Sequence, residues 1–203
     1  MSPLRRIVLL RHGDTVGDSR TRFHGSGDVA LSAEGRRQVQ EAARALRREV
    51  FDLVVASPLQ RSWQSAWLAA GGAPILLEAD FREIHFGRWE GMTAQEIEAA
   101  DPTLYRDWQA RAKGFEYPSG ELLESFHERI LRGVERLQES GAAHVLAVLH
   151  KGVIRKIAEH LVGEPLEPGI PELARAVSVT RRPDGSWFVG RRGSNPEELA
   201  QLA

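Results

Sequence analysis

The sequence predicts an α/β protein, a three-layer α/β/α sandwich with a mostly parallel central sheet and an antiparallel edge. Three observations lead there. Short apolar runs at 7–10, 52–56, 74–77 and 144–149 suit strands covered on both faces, the pattern of parallel sheets. Segments with helical spacing of apolar residues lie between them, which gives the right-handed crossovers of such sheets. The tail reads as a hairpin, 176–180 and 186–189 around Pro183-Asp184-Gly185, and supplies edge strands.

Taken in order, Ile7-Val8-Leu9-Leu10 is the first strand, and it stops at Arg11, His12 and Gly13. The carboxyl edge of an open α/β sheet is where ligands bind, so a polar pair at that edge is a candidate for chemistry. Taken alone, the tripeptide is more often a hydrogen-bonded turn. Residues 16–31 form a surface loop, long for a compact domain, carrying Arg20, Arg22 and His24 as donors for an anion; a solvated charged loop is the other reading. Ser32 caps a helix over 33–49 whose apolar face holds Val39, Ala42, Ala43 and Leu46. After the second strand, Ser57 reads as a cap and Pro58 as the first position of a helix reaching Ala70, closed by Gly71-Gly72 before the third strand.

Residues 81–91 mix aromatic, charged and glycine residues and read as a packed, irregular loop. Thr93-Ala94-Gln95-Glu96 is a capping box, and Asp101-Pro102 caps a further helix carrying Leu104, Tyr105 and Trp108. These helices, at about 93–120, are expected as an insertion that overhangs the site. A long helix follows over 121–139, with Leu122, Phe126, Ile130, Val134 and Leu137 on its apolar stripe. The run 144–149 then repeats the opening pattern, ending in His150, Lys151 and Gly152 before a helix through Val153, Ile154, Ile157 and Leu161.

A length of 203 residues fits one domain, 1–203, with a large core. The 27 basic and 28 acidic residues nearly cancel, so no overall field recruits nucleic acid or an anionic membrane, and any anion must be bound locally. The absence of cysteine excludes disulfides, thiolate nucleophiles and cysteine-ligated metals, and fits a cytoplasmic protein. The apolar residues near the N-terminus are too few for a signal or membrane span. Seven histidines show no helical His-x-x-x-His spacing or local cluster, so neither a metal nor another cofactor is expected.

Two apolar strands that each end in a histidine can place both imidazoles at one sheet edge, and Ser57-Pro58-Leu59-Gln60-Arg61 adds a third strand-to-helix junction there. Helix N-termini and arginine forks both suit a phosphate. With these residues, Leu10-Arg11-His12-Gly13-Asp14-Thr15 resembles the Arg-His-Gly signature of the histidine phosphatase superfamily, in its phosphoglycerate mutase-like branch. Arg22-Phe23-His24-Gly25 with Leu31-Ser32-Ala33-Glu34-Gly35, the stretch Ser57 to Arg61, the segment Arg82 to Gly91 and His150-Lys151-Gly152-Val153-Ile154-Arg155 are similar to its further motifs, in order and over nearly the whole chain.

The resemblance implies a phosphatase acting on small phosphomonoesters. Neutral His12 would attack phosphorus to form a phosphohistidine, which water then hydrolyses without a metal. It implies that Arg11, Arg61 and His150 bind the phosphoryl oxygens and that Glu83 is the acid and base. Asp14 and Glu90 are rival acids, and a salt bridge of Glu83 with Arg82 or Arg88 is the non-catalytic reading. Cationic neighbours should lower the Glu83 pKa, leaving a bound phosphate to raise it. Thr15, Asp18, His24, Gly25 and Lys151 are further candidates for substrate contact. His85, His127, His144 and His160 are assigned to surface or packing.

Three positions depart from the family pattern: Asp18 in place of an asparagine, Lys151 in place of a glycine and Leu122 in place of a serine. They bear on the substrate rather than the nucleophile. A cofactor-dependent phosphoglycerate mutase is the alternative activity, and a non-catalytic phospholigand-binding module is the alternative from another class. The expected partner is a small phosphorylated metabolite, neither nucleic acid nor membrane, with a homodimer as the one assembly considered.

Overall fold

A computed structural model describes residues 3–17 and 20–190. Its strands are β1 (Arg6–Arg11), β2 (Leu53–Ala56), β3 (Ile75–Leu77), β4 (His144–Leu149), β5 (Ala176–Arg181) and β6 (Trp187–Gly190). Its α-helices are α1 (Ala33–Leu46), α2 (Gln60–Ala69), α3 (Ala94–Ala100), α4 (Pro102–Gln109), α5 (Leu123–Glu139) and α6 (Lys151–Val162). The six strands form one sheet in the order β3-β2-β4-β1-β5-β6. Pairing is parallel from β3 through β1, and antiparallel between β1, β5 and β6. The expected sandwich with an antiparallel edge is what forms.

Alternation along the central strands sorts the core into two layers. Ile7 and Leu9 of β1, with Val145, Ala147 and Leu149 of β4, pack under α5 and α6. Val8 and Leu10, with Leu146 and Val148, pack under α1 and α2. Both faces of each central strand are therefore buried, which is why these runs carry no polar alternation. The α5 stripe of Phe126, Ile130, Val134 and Leu137 is almost fully buried, and each such side chain contributes about 1.5–3 kcal/mol through removal from water. Trp89, Ile97 and Tyr105 form a third, smaller cluster that holds α3 and α4.

Register fixes the site. Arg11 of β1 lies opposite Leu149 of β4, so His12 and His150 leave the sheet side by side, with the His12 N–H donating to the Leu149 carbonyl at 3.0 Å. Ala56 of β2 lies opposite Val148, which brings the start of α2 to the same edge. Serines then tie these pieces together. The Ser62 hydroxyl donates to the Val148 carbonyl at 2.6 Å, and the Gly13 N–H donates to Ser65 Oγ at 3.2 Å. Gly35 at the start of α1 lies so close to the same turn that a Cβ there would sit 1.9 Å from the Asp14 carbonyl oxygen.

Several predicted boundaries shift, each for a local reason. The helix expected from Pro58 begins at Gln60, because Ser57 Oγ accepts from the Leu59 N–H in a separate turn. Its cap comes from a distance, as the Asp28 carboxylate accepts from the Gln60 N–H at 2.7 Å. The Thr93 capping box is present. Asp101 precedes α4 but its carboxylate instead accepts from Trp89 Nε1 and Arg88 Nη2, both at 2.9 Å, and so cannot cap. Helix α5 begins at Leu123 rather than 121; Leu122 has no side-chain acceptor, and Glu116 receives the Leu123 N–H instead at 2.8 Å. No described helix is long and apolar enough to cross a membrane.

Candidate active site

A cavity of about 1060 Å³ opens at the carboxyl edge, with Arg11, His12, Glu83 and Lys151 on its wall. His12 is its buried floor. The Nδ1 atom lies 2.7 Å from the Gly13 carbonyl oxygen, which can only accept, so Nδ1 carries the proton and Nε2 keeps its lone pair. Burial, then the charges of Arg61 and Arg11, hold the His12 pKa well below the usual histidine value. The ring is therefore neutral, in the tautomer a nucleophile needs.

His150 and Arg61 are fully buried and adjoin this ring without lining the cavity. The two imidazoles meet edge to face, their centroids 5.2 Å apart. Burial and then Arg61 also keep His150 well below the ordinary histidine value. Arg61 grips the loop above, donating to the carbonyls of Gly27 at 2.7 Å, Gly25 at 2.5 Å and His24 at 3.2 Å. Its own pKa is pushed down to about 10 by burial, with Glu83, Glu90 and Asp28 opposing.

Unpartnered polar atoms mark the centre. Arg11 Nε, Arg61 Nε and both ring nitrogens of His150 are buried without a partner among the described residues. An unsatisfied buried polar group costs about 1–3 kcal/mol, and native structures hold few of them. Their grouping around one histidine fits a site that completes its hydrogen bonds with an oxyanion.

Glu83 lines the same cavity, buried, with its carboxylate accepting from the Gly152 N–H at 3.0 Å and the Ile84 N–H at 3.1 Å. Its pKa is raised above the ordinary carboxylate value. Burial dominates, outweighing both backbone donors and the charges of Arg61 and Arg11. The cationic neighbours were expected to win before an anion binds; the desolvation of a fully enclosed carboxyl reverses that balance. Arg129 of α5 fixes the segment from behind, donating to the carbonyls of Asp80, Arg82 and Glu83 and to the Glu121 carboxylate.

The alternative readings of the acid do not match this arrangement. Arg88 pairs with Asp101 instead of Glu83. Glu90 accepts from the backbone N–H groups of Gly25, Ser26 and Phe86, tying two loops together, and neither it nor Asp14 is on the cavity wall. Among the proposed substrate contacts, His24 and Lys151 line the cavity. Thr15 is buried in a bridge to Leu31, and Gly25 serves Glu90 and Arg61 with its backbone. Asp18 lies outside the described residues. Arg22, read as an anion donor, lines the cavity and also donates to the Gly91 carbonyl and pairs with Glu96.

His127, assigned to surface or packing, is on the cavity wall, as are Trp108, Arg111 and Tyr117 from the 93–120 segment. Sequence spacing placed His127 on α5, one residue from the stripe, but could not say that α5 borders the cavity. Phe86 is a wall residue and Trp89 a core residue. Among the described residues, no group of three or more His, Cys, Asp or Glu side chains is placed to hold a metal.

An α/β sandwich with two adjacent neutral histidines among arginines at its carboxyl edge defines a recognisable class of protein. The chain belongs to the histidine phosphatase superfamily (branch 1), which it matches over residues 7–190. A bifunctional protein of Mycobacterium tuberculosis is 36% identical over 156 residues, which is 75% of this chain but only 43% of that protein. A glucosyl-3-phosphoglycerate phosphatase of Mycolicibacterium vanbaalenii is 34% identical over 175 residues, 81% of this chain and 77% of the relative. In structure, the chain is similar to an α-ribazole-5′-phosphate phosphatase of Escherichia coli K-12 described as putative, with a TM-score of 0.81 and 25% identity over 94% of this chain and 97% of that one.

Proposed function

We propose that this chain is a phosphatase that hydrolyses small phosphomonoesters through a phosphohistidine on His12. The observation that carries the reading is the state of His12 itself: neutral, with Nδ1 tied to the Gly13 carbonyl and Nε2 left as a nucleophile beside unpaired cationic donors. Phosphatases among the relatives, acting by their names on glucosyl-3-phosphoglycerate and α-ribazole phosphate, support it.

In the first step His12 Nε2 attacks phosphorus, the bond to the ester oxygen breaks, and Glu83 protonates the departing alkoxide. Arg11, Arg61 and His150 bear on the phosphoryl oxygens, where charge is stabilised by donors already in place. In the second, Glu83 takes a proton from water as its oxygen attacks phosphorus; the P–N bond breaks and inorganic phosphate leaves. Glu83 must begin protonated, and its raised pKa favours that state. The reaction needs no metal and belongs, with this cysteine-free chain, in the cytoplasm. The chain works as one domain, 1–203, whose segment at about 93–120 forms the outer wall of the pocket.

A phosphate-release screen over sugar phosphates, phosphoglycerates, nucleotides and α-ribazole phosphate, run in a metal chelator, tests the proposal. Turnover that survives chelation supports it. Activity that requires an added divalent cation contradicts the metal-free route, and phosphoryl exchange that depends on a bisphosphate primer, with little free phosphate, favours the mutase alternative.

Gly152 offers a sharper check on the acid. A Cβ at this position would stand 2.6 Å from Glu83 Oε1, so Gly152→Ala must displace the carboxyl. Phosphate release from an alkyl ester is expected to fall at least about tenfold, with the circular dichroism spectrum unchanged. Wild-type activity in Gly152→Ala would remove Glu83 from the mechanism.

A further inference from the structure

The cavity is more cationic than the chain that builds it. Acidic residues slightly outnumber basic ones overall, yet eight arginines and lysines line the cavity against four glutamates. One phosphoryl group engages Arg11 and the donors around His12. It does not account for Lys151, Arg111 and Arg155 farther along the wall.

Some of those cations are fixed by the protein, but not neutralised by it. Arg155 of α6 donates to the carbonyls of Leu166, Glu167 and Ile170 at 2.7–2.9 Å, a neutral cradle that holds the guanidinium and leaves its charge. The side chains of Lys151 and Arg111 make no hydrogen bond or ion pair among the described residues. Lys151 is only partly exposed and opens α6 directly after His150. Arg155 stands four residues on, about 6 Å away on the same helix face. Arg111 reaches the cavity from the end of α4 on a left-handed backbone, φ 51°, a conformation that a non-glycine residue rarely adopts.

These groups press on one another. Burial, then Arg11 and Arg155, lower the Lys151 pKa, and Arg111 acts in the same sense on Arg155. The opposing groups are Glu83 at Lys151 and Glu159 at Arg155. Glu83 is uncharged when it serves as the acid, which leaves Glu159 as the acidic group acting on this row. Like charges confined to one partly dry wall repel, and a bound anion relieves that repulsion.

We propose that Lys151, Arg155 and Arg111 form a second anion subsite, so that the substrate is a phosphomonoester bearing a further anionic group, a carboxylate or a second phosphate. The inference rests on the reading of the cavity as a phosphomonoester site. It gives Lys151, which stands where the family pattern has a glycine, a role in selecting the substrate rather than in the chemistry.

Matched pairs test it: 3-phosphoglycerate against glycerol 3-phosphate for the carboxylate, and fructose 1,6-bisphosphate against fructose 6-phosphate for the second phosphate. Dissociation constants are measured by calorimetry on His12→Ala, and kcat/KM on the chain with His12 intact. The doubly anionic member of at least one pair is expected to bind about tenfold or more tightly, the value of one charge-assisted hydrogen bond. The preference should shrink to within about twofold in Lys151→Met and in Arg111→Met, and Lys151→Arg should restore it. The pair that shows the preference tells carboxylate from phosphate.

Equal affinities within both pairs would overturn the subsite, as would a preference that survives both methionine variants. A binding preference with no phosphate release from any ester would keep the subsite and overturn the phosphatase reading. Phosphate release without any preference would do the reverse.

Discussion

Replacing His12 with alanine is expected to lower kcat for every phosphomonoester by about 10⁴-fold or more, the scale of losing a nucleophile that acts with its whole constellation. No neighbour can take its place. The other candidate on the cavity wall, Glu83, is committed to the Gly152 and Ile84 N–H groups. Affinity should suffer far less, because Arg11, Arg61 and His150 remain to hold the phosphoryl oxygens. Loss of turnover with binding retained, measured by phosphate release and calorimetry on the same preparation, separates a chemical role from a folding defect. A rate within about tenfold of the parent chain would leave His12 without that role.

Replacing Glu83 with glutamine should be nearly as damaging, but selectively. An alkyl phosphate leaves as a strongly basic alkoxide and needs its proton, so a loss of about 10²–10⁴-fold is expected. p-Nitrophenolate leaves unaided, and the first step on p-nitrophenyl phosphate should be much less affected. The pH profile carries the sign. His12 must be neutral, so kcat/KM falls as pH drops through a pKa held well below the ordinary 6.5. Glu83 must be protonated, so it falls again as pH rises through a carboxyl pKa held above the ordinary 4.5. The parent chain should therefore show a bell on the acidic side, and Glu83→Gln should lose the alkaline limb while keeping the acidic one. An unchanged alkaline limb would assign it to another group.

Much of the fold could be read from the chain, because buried parallel strands and capped amphipathic helices leave local marks. The runs at 7–10 and 144–149 and the Thr93 capping box are such marks. The failures share a cause. Asp28 caps α2 from 32 residues away, and Asp101 serves Trp89 and Arg88 rather than its own helix. No local pattern announces a partner that only the tertiary fold supplies.

The site divides in the same way. His12, Glu83, Arg11 and Lys151 were marked by motif and order, and the fold puts them on one cavity wall. The pKa balance at Glu83 was not legible, because burial depends on what α6 and the 81–91 segment do to each other in space. His127, Arg111 and Arg155 were equally hidden as wall residues, since their place depends on how α4, α5 and α6 border one cavity.

The central claim is a phosphoryl group on His12, and it can be caught directly. Enzyme mixed with a ³²P-labelled substrate and quenched in alkali within milliseconds should carry label in the acid-labile, base-stable form of a phosphoramidate. Peptide mapping should place it on His12, and His12→Ala should carry none. Turnover with no label on the parent chain at any quench time, while ¹⁸O from water enters phosphate in a single inverting displacement, would contradict the account.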